Sequence, residues 1–345
     1  MGLARPAHGL AGQRPRAHLH PGQLAAGGRR GRGDHAEGGS ATVSAAKARV
    51  GIDIGATKMH GVAATSDGTV LADVLATTPT GGDAVVSAAA ELVAQLRARV
   101  GDVLDGVVGV GVPGLVDAAG GNVKHAVNLG VDDWFPIAER LAERTGARVV
   151  VDNDVNAAAL GAAQVTGHDD LVYLSLGTGL AAASILDGRL RRGFRSAAGE
   201  IGHVPVDPRG HPCQCGQVGC LETAASGSAV AEAWPVAGIA PAQALFDAAA
   251  AGDPRAVAVR DTFAARVADA IRLVCLTVDP EYVVLGGGVA QVGERLRVAV
   301  AHALAEQAAT SPFLRSLDLP GRVLLVPGDV PVAALGAALL AGVPS

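Results

Sequence analysis

A cluster of potential metal ligands is the most distinctive chemical feature of the sequence. His203 is followed after nine residues by Cys213, Cys215 and Cys220, in a segment rich in glycine and proline. Imidazole and thiolate groups bind zinc, and four of them complete a tetrahedral site. We therefore predict a structural zinc ion, because four protein ligands leave no coordination position for a reacting water. His203 is the favoured fourth ligand, and the nearby His211 is the alternative.

Glycine-containing turns in two places could bind phosphate groups. The segment DIGAT at 53–57 puts Asp53 at the end of a buried strand, and LGTG at 176–179 repeats the turn without the acid. Such turns expose backbone N–H groups to an anion, and a carboxylate can hold a hydrated Mg²⁺. Ordinary hairpin turns would have the same composition. A third segment, LGGG at 285–288, offers flexible backbone for an adenosine, so the three together favour nucleotide binding.

Polar side chains also stand where a strand at 149–151 turns into a helix. They are Asp152, Asn153 and Asp154, and the carboxyl ends of strands are where α/β proteins bind ligands. Asn153 or Asp154 could simply cap the helix. A carboxylate there could also accept a proton from a substrate hydroxyl during phosphoryl transfer. Asn128 adds another amide from a nearby loop, and such groups suit a polyhydroxylated ligand.

The elements that would position these groups form two similar α/β lobes. Three β-rich runs between 49 and 77 predict an antiparallel meander, and alternating helices and strands follow from 82 onward. The pattern restarts at 171–193 with a strand, a Gly/Thr turn, a second strand, an Asp-Gly turn and a short third strand. A cleft between two such lobes is a common place for a small ligand.

The lobe boundaries follow from this repeat. We assign 48–157 together with 333–345 to a smaller first lobe, and 158–332 to a larger second lobe that carries the zinc-binding loop. Residues 1–47 are rich in Gly, Arg, His and Pro and have no apolar period, so they are predicted to be a disordered tail.

Composition limits the possible partners and the compartment. The net charge of −5 is mild for 345 residues, so neither nucleic acid nor an anionic membrane is an expected partner. The sequence has no apolar run near the ~20 residues of a membrane-spanning helix. Three clustered cysteines suit a metal site in a reducing compartment better than a disulfide framework, which predicts a cytoplasmic protein. A homodimer or homotetramer is expected.

Over residues 48–345 the sequence resembles the ROK family of sugar kinases and sugar-responsive repressors. The His203-to-CQCGQVGCLE segment is similar to the family's zinc signature, GIDIGATK to its first phosphate motif, NDVNAAALG to its catalytic segment and YVVLGGGV to its adenosine-side segment. The resemblance implies a bilobal ribonuclease H-like fold of the actin/hexokinase type. It also implies ATP and Mg²⁺ in the cleft and a hexose as phosphoryl acceptor, with glucose the first choice and an N-acetylhexosamine the second.

The same resemblance implies roles for individual residues. Asp154 would be the base for the sugar hydroxyl. The sugar would be held by Asn128, Asn153, Asp154, Glu200, His203 and Glu222, and zinc would position the two glutamates that flank its ligands. The nucleotide-binding positions would be Asp53, Gly55, Thr57, Lys58, Gly177, Thr178, Gly179, Gly286 and Gly287.

One departure from the family pattern bears on ATP. Further glycines usually follow Gly-Thr-Gly, whereas this chain has Ala181, Ala182 and Ala183, and an added Cβ restricts how closely backbone approaches phosphate.

Two other functions fit parts of the sequence. The GVGVPG segment at 109–114 fits a dinucleotide-binding pattern but is not followed by a helix-like sequence. A non-catalytic sugar-sensing regulator is disfavoured by Asp154 and by the lack of a helix-turn-helix pattern.

Overall fold

The computed structural model describes residues 47–328 and 330–342. The disordered tail predicted for 1–47 lies outside the described residues except for Lys47, and so do the last three residues of the predicted first lobe, 343–345.

The first sheet combines an antiparallel meander with two parallel strands. Its order is β3-β2-β1-β4-β7, in which β1, β4 and β7 are parallel to one another. A two-stranded hairpin of β5 and β6 follows β4. The bounds are β1 Ala48–Ile54, β2 Lys58–Thr65, β3 Val70–Thr77, α1 Gly82–Val100, β4 Leu104–Val112, β5 Leu115–Asp117, β6 Asn122–Lys124, α2 Ile137–Thr145 and β7 Arg148–Asn153.

The second sheet repeats this topology. Its order is β10-β9-β8-β11-β12, with β8, β11 and β12 parallel to one another and the first three strands antiparallel. The bounds are β8 Leu171–Leu176, β9 Leu180–Leu186, β10 Arg189–Arg191, α4 Glu222–Ala225, α5 Gly227–Ala233, α6 Pro241–Ala250, α7 Pro254–Val278, β11 Tyr282–Gly286, α8 Glu294–Ala308, α9 Pro312–Ser316 and β12 Val323–Leu325. The repeat predicted from 171–193 is therefore present in space.

Glycines on β1 and β4 let a helix lie unusually close to the first sheet. A Cβ on Gly51 would be 2.0 Å from the Ala334 carbonyl oxygen, and one on Gly109 would be 1.8 Å from that of Ala337. Both carbonyls belong to α10, Val332–Leu339. The alternating valines and isoleucines of these strands face the other way and form a buried core with α1 and α2.

Helix α3, Asp154–Thr166, touches both sheets. Ala158, Ala159 and Ala162 pack with Leu171 and Tyr173 of the second sheet. On its other side, Gly161 and Gly336 allow α3 and α10 to touch, since a Cβ on either would lie within 2.0 Å of backbone of the other helix. The chain thus has the bilobal actin/hexokinase-type fold expected for it. The lobe boundary at 157/158 falls inside α3 and stays a prediction.

The meander, the alternation of helices and strands and the repeat predicted from the sequence are present. Between β11 and α8 lies a short 3₁₀ turn, Val289–Val292. Gly293 separates this turn from α8 with a φ of 73°, which glycine adopts without strain. In the part of the chain that the structure describes, every helix is too short or too polar to cross a membrane.

Candidate active site

Two aspartates lie at the same edge of the first sheet. Asp53 is the penultimate residue of strand β1, and Asp154 is the first residue of α3, directly after β7. The parallel pairing of β1, β4 and β7 aligns Asp53 with Gly111 and Gly111 with Asp152. A Cβ on Gly111 would lie 3.4 Å from the Asp154 Cα and 3.1 Å from the Ala157 Cβ. A glycine in β4 therefore allows the start of α3 to cross close above the sheet.

Burial makes both aspartates weaker acids than usual. Desolvation raises the pKa of Asp53 to about 7; the charge of Asp154 adds to this effect and that of Lys58 opposes it. Desolvation also raises the pKa of Asp154 to about 6, although the Val155 N–H, 3.0 Å from its Oδ1, favours the charged form. The charge of Glu200 raises it further. Perturbed carboxylates of this kind are typical of acid–base and cation-binding sites.

Asn153 caps α3. Its Oδ1 accepts hydrogen bonds from the N–H groups of Val155 (2.8 Å) and Asn156 (3.4 Å), and its Nδ2 donates to the Gly114 carbonyl oxygen (3.2 Å). The capping role considered from the sequence is therefore present. Asn128 is exposed on the 3₁₀ turn Val127–Leu129. Sugar contacts by Asn128 and Asn153 stay predictions.

A cavity of 930 Å³ opens beside Asp53. Its walls include Lys58, Tyr173 and Gly286–Gly288, together with Leu325–Gly328 and Val330–Ala334. Gly287 has a φ of 82°, and a Cβ there would lie 2.7 Å from Leu176 backbone atoms. The glycine segment is thus packed against the end of β8, which leaves its backbone facing the cavity.

The predicted nucleotide-binding residues divide into two groups. Four of them line the 930 Å³ cavity, namely Asp53, Lys58, Gly286 and Gly287. The other five lie in the two tight turns, namely Gly55, Thr57, Gly177, Thr178 and Gly179. The first turn is closed by the Gly55 N–H, which donates to the Lys58 carbonyl oxygen (3.0 Å), and the second by the Gly177 N–H, which donates to that of Gly179 (3.1 Å). Binding of a nucleotide by these residues stays a prediction.

Tyr173 was not identified from the sequence. Its strand is a nearly continuous apolar run, in which a tyrosine resembles any other core residue. The side chain is buried but reaches the 930 Å³ cavity. Burial raises the pKa of its hydroxyl above the usual range, and the charges of Asp53 and Asp154 add to this. The hydroxyl therefore stays protonated next to both carboxylates.

Glu222 is tied to the second turn. Its Oε2 accepts a hydrogen bond from the Leu180 N–H (3.0 Å). A Cβ on Gly179 would lie 2.3 Å from that oxygen, so a side chain at this position would displace the carboxylate. The start of α5 also binds this turn, because the Gly227 N–H donates to the Gly177 carbonyl oxygen (2.7 Å). The role of Glu222 in sugar binding stays a prediction.

The three alanines that depart from the family pattern lie beyond the turn. Ala181, Ala182 and Ala183 belong to β9 and pair with Ser175, Leu174 and Tyr173 of β8. Ala182 and Ala183 are buried. Their methyl groups are therefore part of the packed sheet, and only Ala181 is partly exposed. Their effect on ATP affinity stays a prediction.

The four predicted zinc ligands converge. The donor atoms of His203, Cys213, Cys215 and Cys220 all lie within 4.8 Å of one another. His203 Nδ1 is 3.6 Å from Cys213 Sγ, and the sulfurs of Cys215 and Cys220 are 3.6 Å apart. Thiolates bound tetrahedrally at ~2.3 Å from zinc lie ~3.8 Å apart. The donors present therefore fit a zinc ion, with His203 and not His211 as the fourth ligand among the described residues.

The zinc cluster is adjacent to the predicted sugar contacts. His203 turns Nδ1 toward the cysteines, and its Nε2 lies 4.0 Å from Glu200 Oε2. Gln217, missed from the sequence, donates from Nε2 to the His203 carbonyl oxygen (3.0 Å) and to Cys215 Sγ (3.4 Å). An amide inside a metal loop has no sequence signal of its own. Such outer contacts orient metal ligands.

Two lobes of repeated topology, with perturbed carboxylates between them, define the class of fold as actin/hexokinase-type. The ROK family model matches residues 49–341, and the chain belongs to the ROK family.

Similar proteins carry sugar kinase names. The chain is 34% identical to glucokinase of Thermotoga maritima over 272 aligned residues, and the alignment covers 72% of this chain and 84% of the relative. Over 242 residues it is 33% identical to N-acetylmannosamine kinase of Yersinia pseudotuberculosis, covering 69% and 82%. A solved ROK family glucokinase from Streptomyces griseus, in complex with glucose and AMPPNP, superimposes with a TM-score of 0.69 at 31% identity, covering 84% of this chain and 98% of that one.

Proposed function

We propose that this ROK-family sugar kinase transfers the γ-phosphoryl group of ATP to the 6-hydroxyl of glucose, with Asp154 as the general base. The observation that carries the proposal is the position of Asp154. It stands at the carboxyl edge of the first sheet and at the start of α3, with its pKa raised to about 6. A base of that strength is ionised at neutral pH, yet it can accept a proton as the hydroxyl becomes a nucleophile.

The reaction needs one proton transfer and one phosphoryl transfer. As the sugar oxygen forms its bond to the γ-phosphorus, the hydroxyl proton passes to an Asp154 carboxylate oxygen. The bond between the γ-phosphorus and the oxygen that bridges it to the β-phosphorus breaks, and ADP leaves with that electron pair. The protein contributes mainly by positioning and by electrostatic stabilisation in such reactions. The Val155 N–H, bonded to Asp154 Oδ1, keeps the carboxylate oriented.

Asp53 is suited to a hydrated cation. Its carboxylate lies at the cavity, and burial makes ionisation unfavourable unless a positive charge is near. Mg²⁺ bound there with ATP would neutralise charge that develops on the phosphates. Lys58 lines the same cavity and supplies positive charge, and the two tight turns offer backbone N–H groups.

The zinc cluster would hold the proposed sugar-binding residues in place. His203 is held through Nδ1, so its Nε2 is fixed close to Glu200, and both are available to sugar hydroxyls. Glu222 has one carboxylate oxygen bonded to Leu180, which leaves the other for the ligand. A closed His/Cys₃ site has a structural role, and here it would orient the sugar contacts.

We favour glucose as the substrate because similar proteins are glucokinases, one of them solved in complex with glucose and AMPPNP. An N-acetylhexosamine is the second candidate, favoured by the similarity to N-acetylmannosamine kinase. Acetamido and hydroxyl groups at C2 differ in size and hydrogen bonding, so pocket shape separates them.

A coupled ADP assay across glucose, mannose, fructose, N-acetylglucosamine and N-acetylmannosamine tests the proposal. We expect the largest kcat/KM with glucose, and loss of that activity in Asp154→Asn. Asp132→Asn is the matched control, because Asp132 is exposed. A larger kcat/KM with an N-acetylhexosamine would replace glucose by the second candidate. Sugar binding without ADP formation would instead support the regulator function, which a DNA-binding assay on the same protein then checks.

A further inference from the structure

A buried ion pair joins the two lobes next to the proposed base. Asp152 is the fifth residue of β7, in the first sheet, and is 2% exposed. Arg192 follows β10, in the second sheet, and its Nε donates to Asp152 Oδ2 over 2.7 Å. The two residues are 40 positions apart in the chain. The pair therefore fixes one point of the second lobe to the end of a first-lobe strand.

Both carboxylate oxygens of Asp152 accept hydrogen bonds. Its Oδ1 accepts hydrogen bonds from the Asn153 N–H and from Asn156 Nδ2, both over 2.8 Å. Asn153 in turn caps α3, which begins at Asp154. The carboxylate that receives Arg192 thus also holds the strand–helix junction that presents the base.

Arg192 begins the loop that leads to Glu200. The Ala198 N–H donates to the Arg192 carbonyl oxygen (3.2 Å), which closes the loop on itself. At its far end, the Gly199 carbonyl oxygen accepts from the Ala182 N–H of β9 (2.8 Å). Gly199 has a φ of 97°, and a Cβ there would lie 1.8 Å from the Ala182 carbonyl oxygen. Both ends of the loop are thus held, one through the Arg192–Asp152 pair and the other through β9, so the pair constrains the segment that leads to Glu200.

Stability alone is a poor reason for such a pair. An ion pair with a buried partner gains little net stability because the buried charge loses water, whereas breaking it is costly. Such a pair can instead select one arrangement of the groups it joins. Here Asp152 lies two residues before Asp154, and Arg192 is connected to Glu200 by the 193–199 loop. The charge of Glu200 also raises the pKa of Asp154.

We propose that Arg192 is a positioning residue that, through Asp152, sets the placement of the 193–199 loop and of Glu200 relative to the base Asp154. This inference rests on the proposed sugar kinase function. It predicts that loss of the pair disturbs the sugar side of the cleft and leaves the nucleotide side intact, since the cavity lined by Lys58 and Gly286–Gly288 has neither Arg192 nor Glu200 in its walls.

The test compares Arg192→Gln with Arg191→Gln. Arg191 is the preceding residue, and it forms only an exposed pair with Asp187 over 3.8 Å. Displacing a reacting group by ~1 Å can cost about 10²-fold in rate, so we expect Arg192→Gln to lower kcat/KM for glucose by about that factor or somewhat less. The KM for ATP and the zinc content should stay unchanged. Arg191→Gln should match the wild type in all three.

Two further variants keep the test decisive. Arg192→Lys retains the charge without the planar guanidinium, so it should recover part of the lost kcat/KM. If Arg192→Gln does not fold because Asp152 is left unpaired, the double variant Asp152→Asn/Arg192→Gln removes the buried charge and carries the comparison. Because the two residues act as a unit, its loss should be smaller than the product of the single losses.

A readout without turnover separates this inference from the proposed function. Arg195 is exposed in the loop, so trypsin should cleave after it faster in Arg192→Gln than in Arg191→Gln. Equal cleavage and equal kinetics in these two variants would overturn the positioning role. A wild type that phosphorylates no sugar, but shows the difference in cleavage, would overturn the proposed function while supporting the anchored loop.

Discussion

Replacing Asp154 by Asn should stabilise the ligand-free protein at alkaline pH while lowering the rate of sugar phosphorylation by about 10²–10⁴-fold. The pKa of Asp154 rises from 3.8 to about 6 on folding. The folded chain therefore binds this proton more tightly than the unfolded chain, and stability is lost as pH rises through that range. At 1.36 kcal/mol per pKa unit the full cost is ~3 kcal/mol above about pH 7. This is an upper value, because the side chain is partly exposed to the cleft.

The destabilisation caused by the Asp154 charge is smaller at lower pH. At about pH 5 roughly half of it, ~1.6 kcal/mol, is still present, because most unfolded chains but few folded ones have ionised this side chain. Asn removes the cost at every pH and can still accept the Val155 N–H at Oδ1. The stability gained by Asp154→Asn should therefore grow by ~1.4 kcal/mol between about pH 5 and pH 8.

Urea unfolding of wild type and variant at these two pH values measures the difference. The exposed Asp132→Asn serves as the control and should show no such growth. A gain for Asp154→Asn that is the same at both pH values would refute the reasoning, because the desolvated charge would then not be its source. A loss of stability that deepens toward pH 8 would show that the carboxylate is stabilised in the fold.

Three other predictions concern the pH profile, the zinc cluster and the second turn. The kcat/KM should fall about tenfold per pH unit below about pH 6, because Asp154 becomes protonated there. Glu200→Gln removes a like charge and should therefore shift this fall in kcat/KM to lower pH. An unchanged pH profile in Glu200→Gln would exclude an electrostatic effect of Glu200 on Asp154. Cys215→Ser should lose zinc, measured by metal analysis, and should weaken sugar binding more than nucleotide binding by titration; normal sugar affinity in the metal-free variant would separate zinc from the sugar site. Gly179→Ala should lower kcat/KM by displacing Glu222 Oε2, which would be 2.3 Å from the new methyl group; unchanged kinetics would show that the turn tolerates the shift.

The site features that could be predicted are those encoded by short segments. The zinc ligands lie within 18 residues, in a loop whose glycine and proline content excludes a packed core, so their spacing alone indicated a tetrahedral site. Likewise, Asp53 and Asp154 could be placed at strand ends because apolar runs precede both. Parallel pairing of β1, β4 and β7 then brings those ends to one edge, as the alternation of helices and strands had suggested.

Features that depend on distant segments could not be predicted. Asp152 and Arg192 lie 40 residues apart, and nothing in either local sequence indicates that they meet. Tyr173 lies in an apolar strand and has the sequence context of a core residue, although it lines the cavity. The glycines of β4 fit a dinucleotide-binding pattern, whereas in the structure Gly109 and Gly111 make room for α10 and α3. Such close approaches depend on tertiary packing, which local pattern does not encode.

Phosphorus NMR of the product formed from ATP and glucose tests the central claim most directly. The account predicts that the wild type forms glucose phosphorylated at the 6-oxygen together with an equal amount of ADP. Under the same conditions 6-deoxyglucose should give no sugar phosphate, and Asp154→Asn should form the product about 10²–10⁴ times more slowly. A phosphate on another oxygen, transfer to 6-deoxyglucose, or a wild-type rate in Asp154→Asn would contradict it.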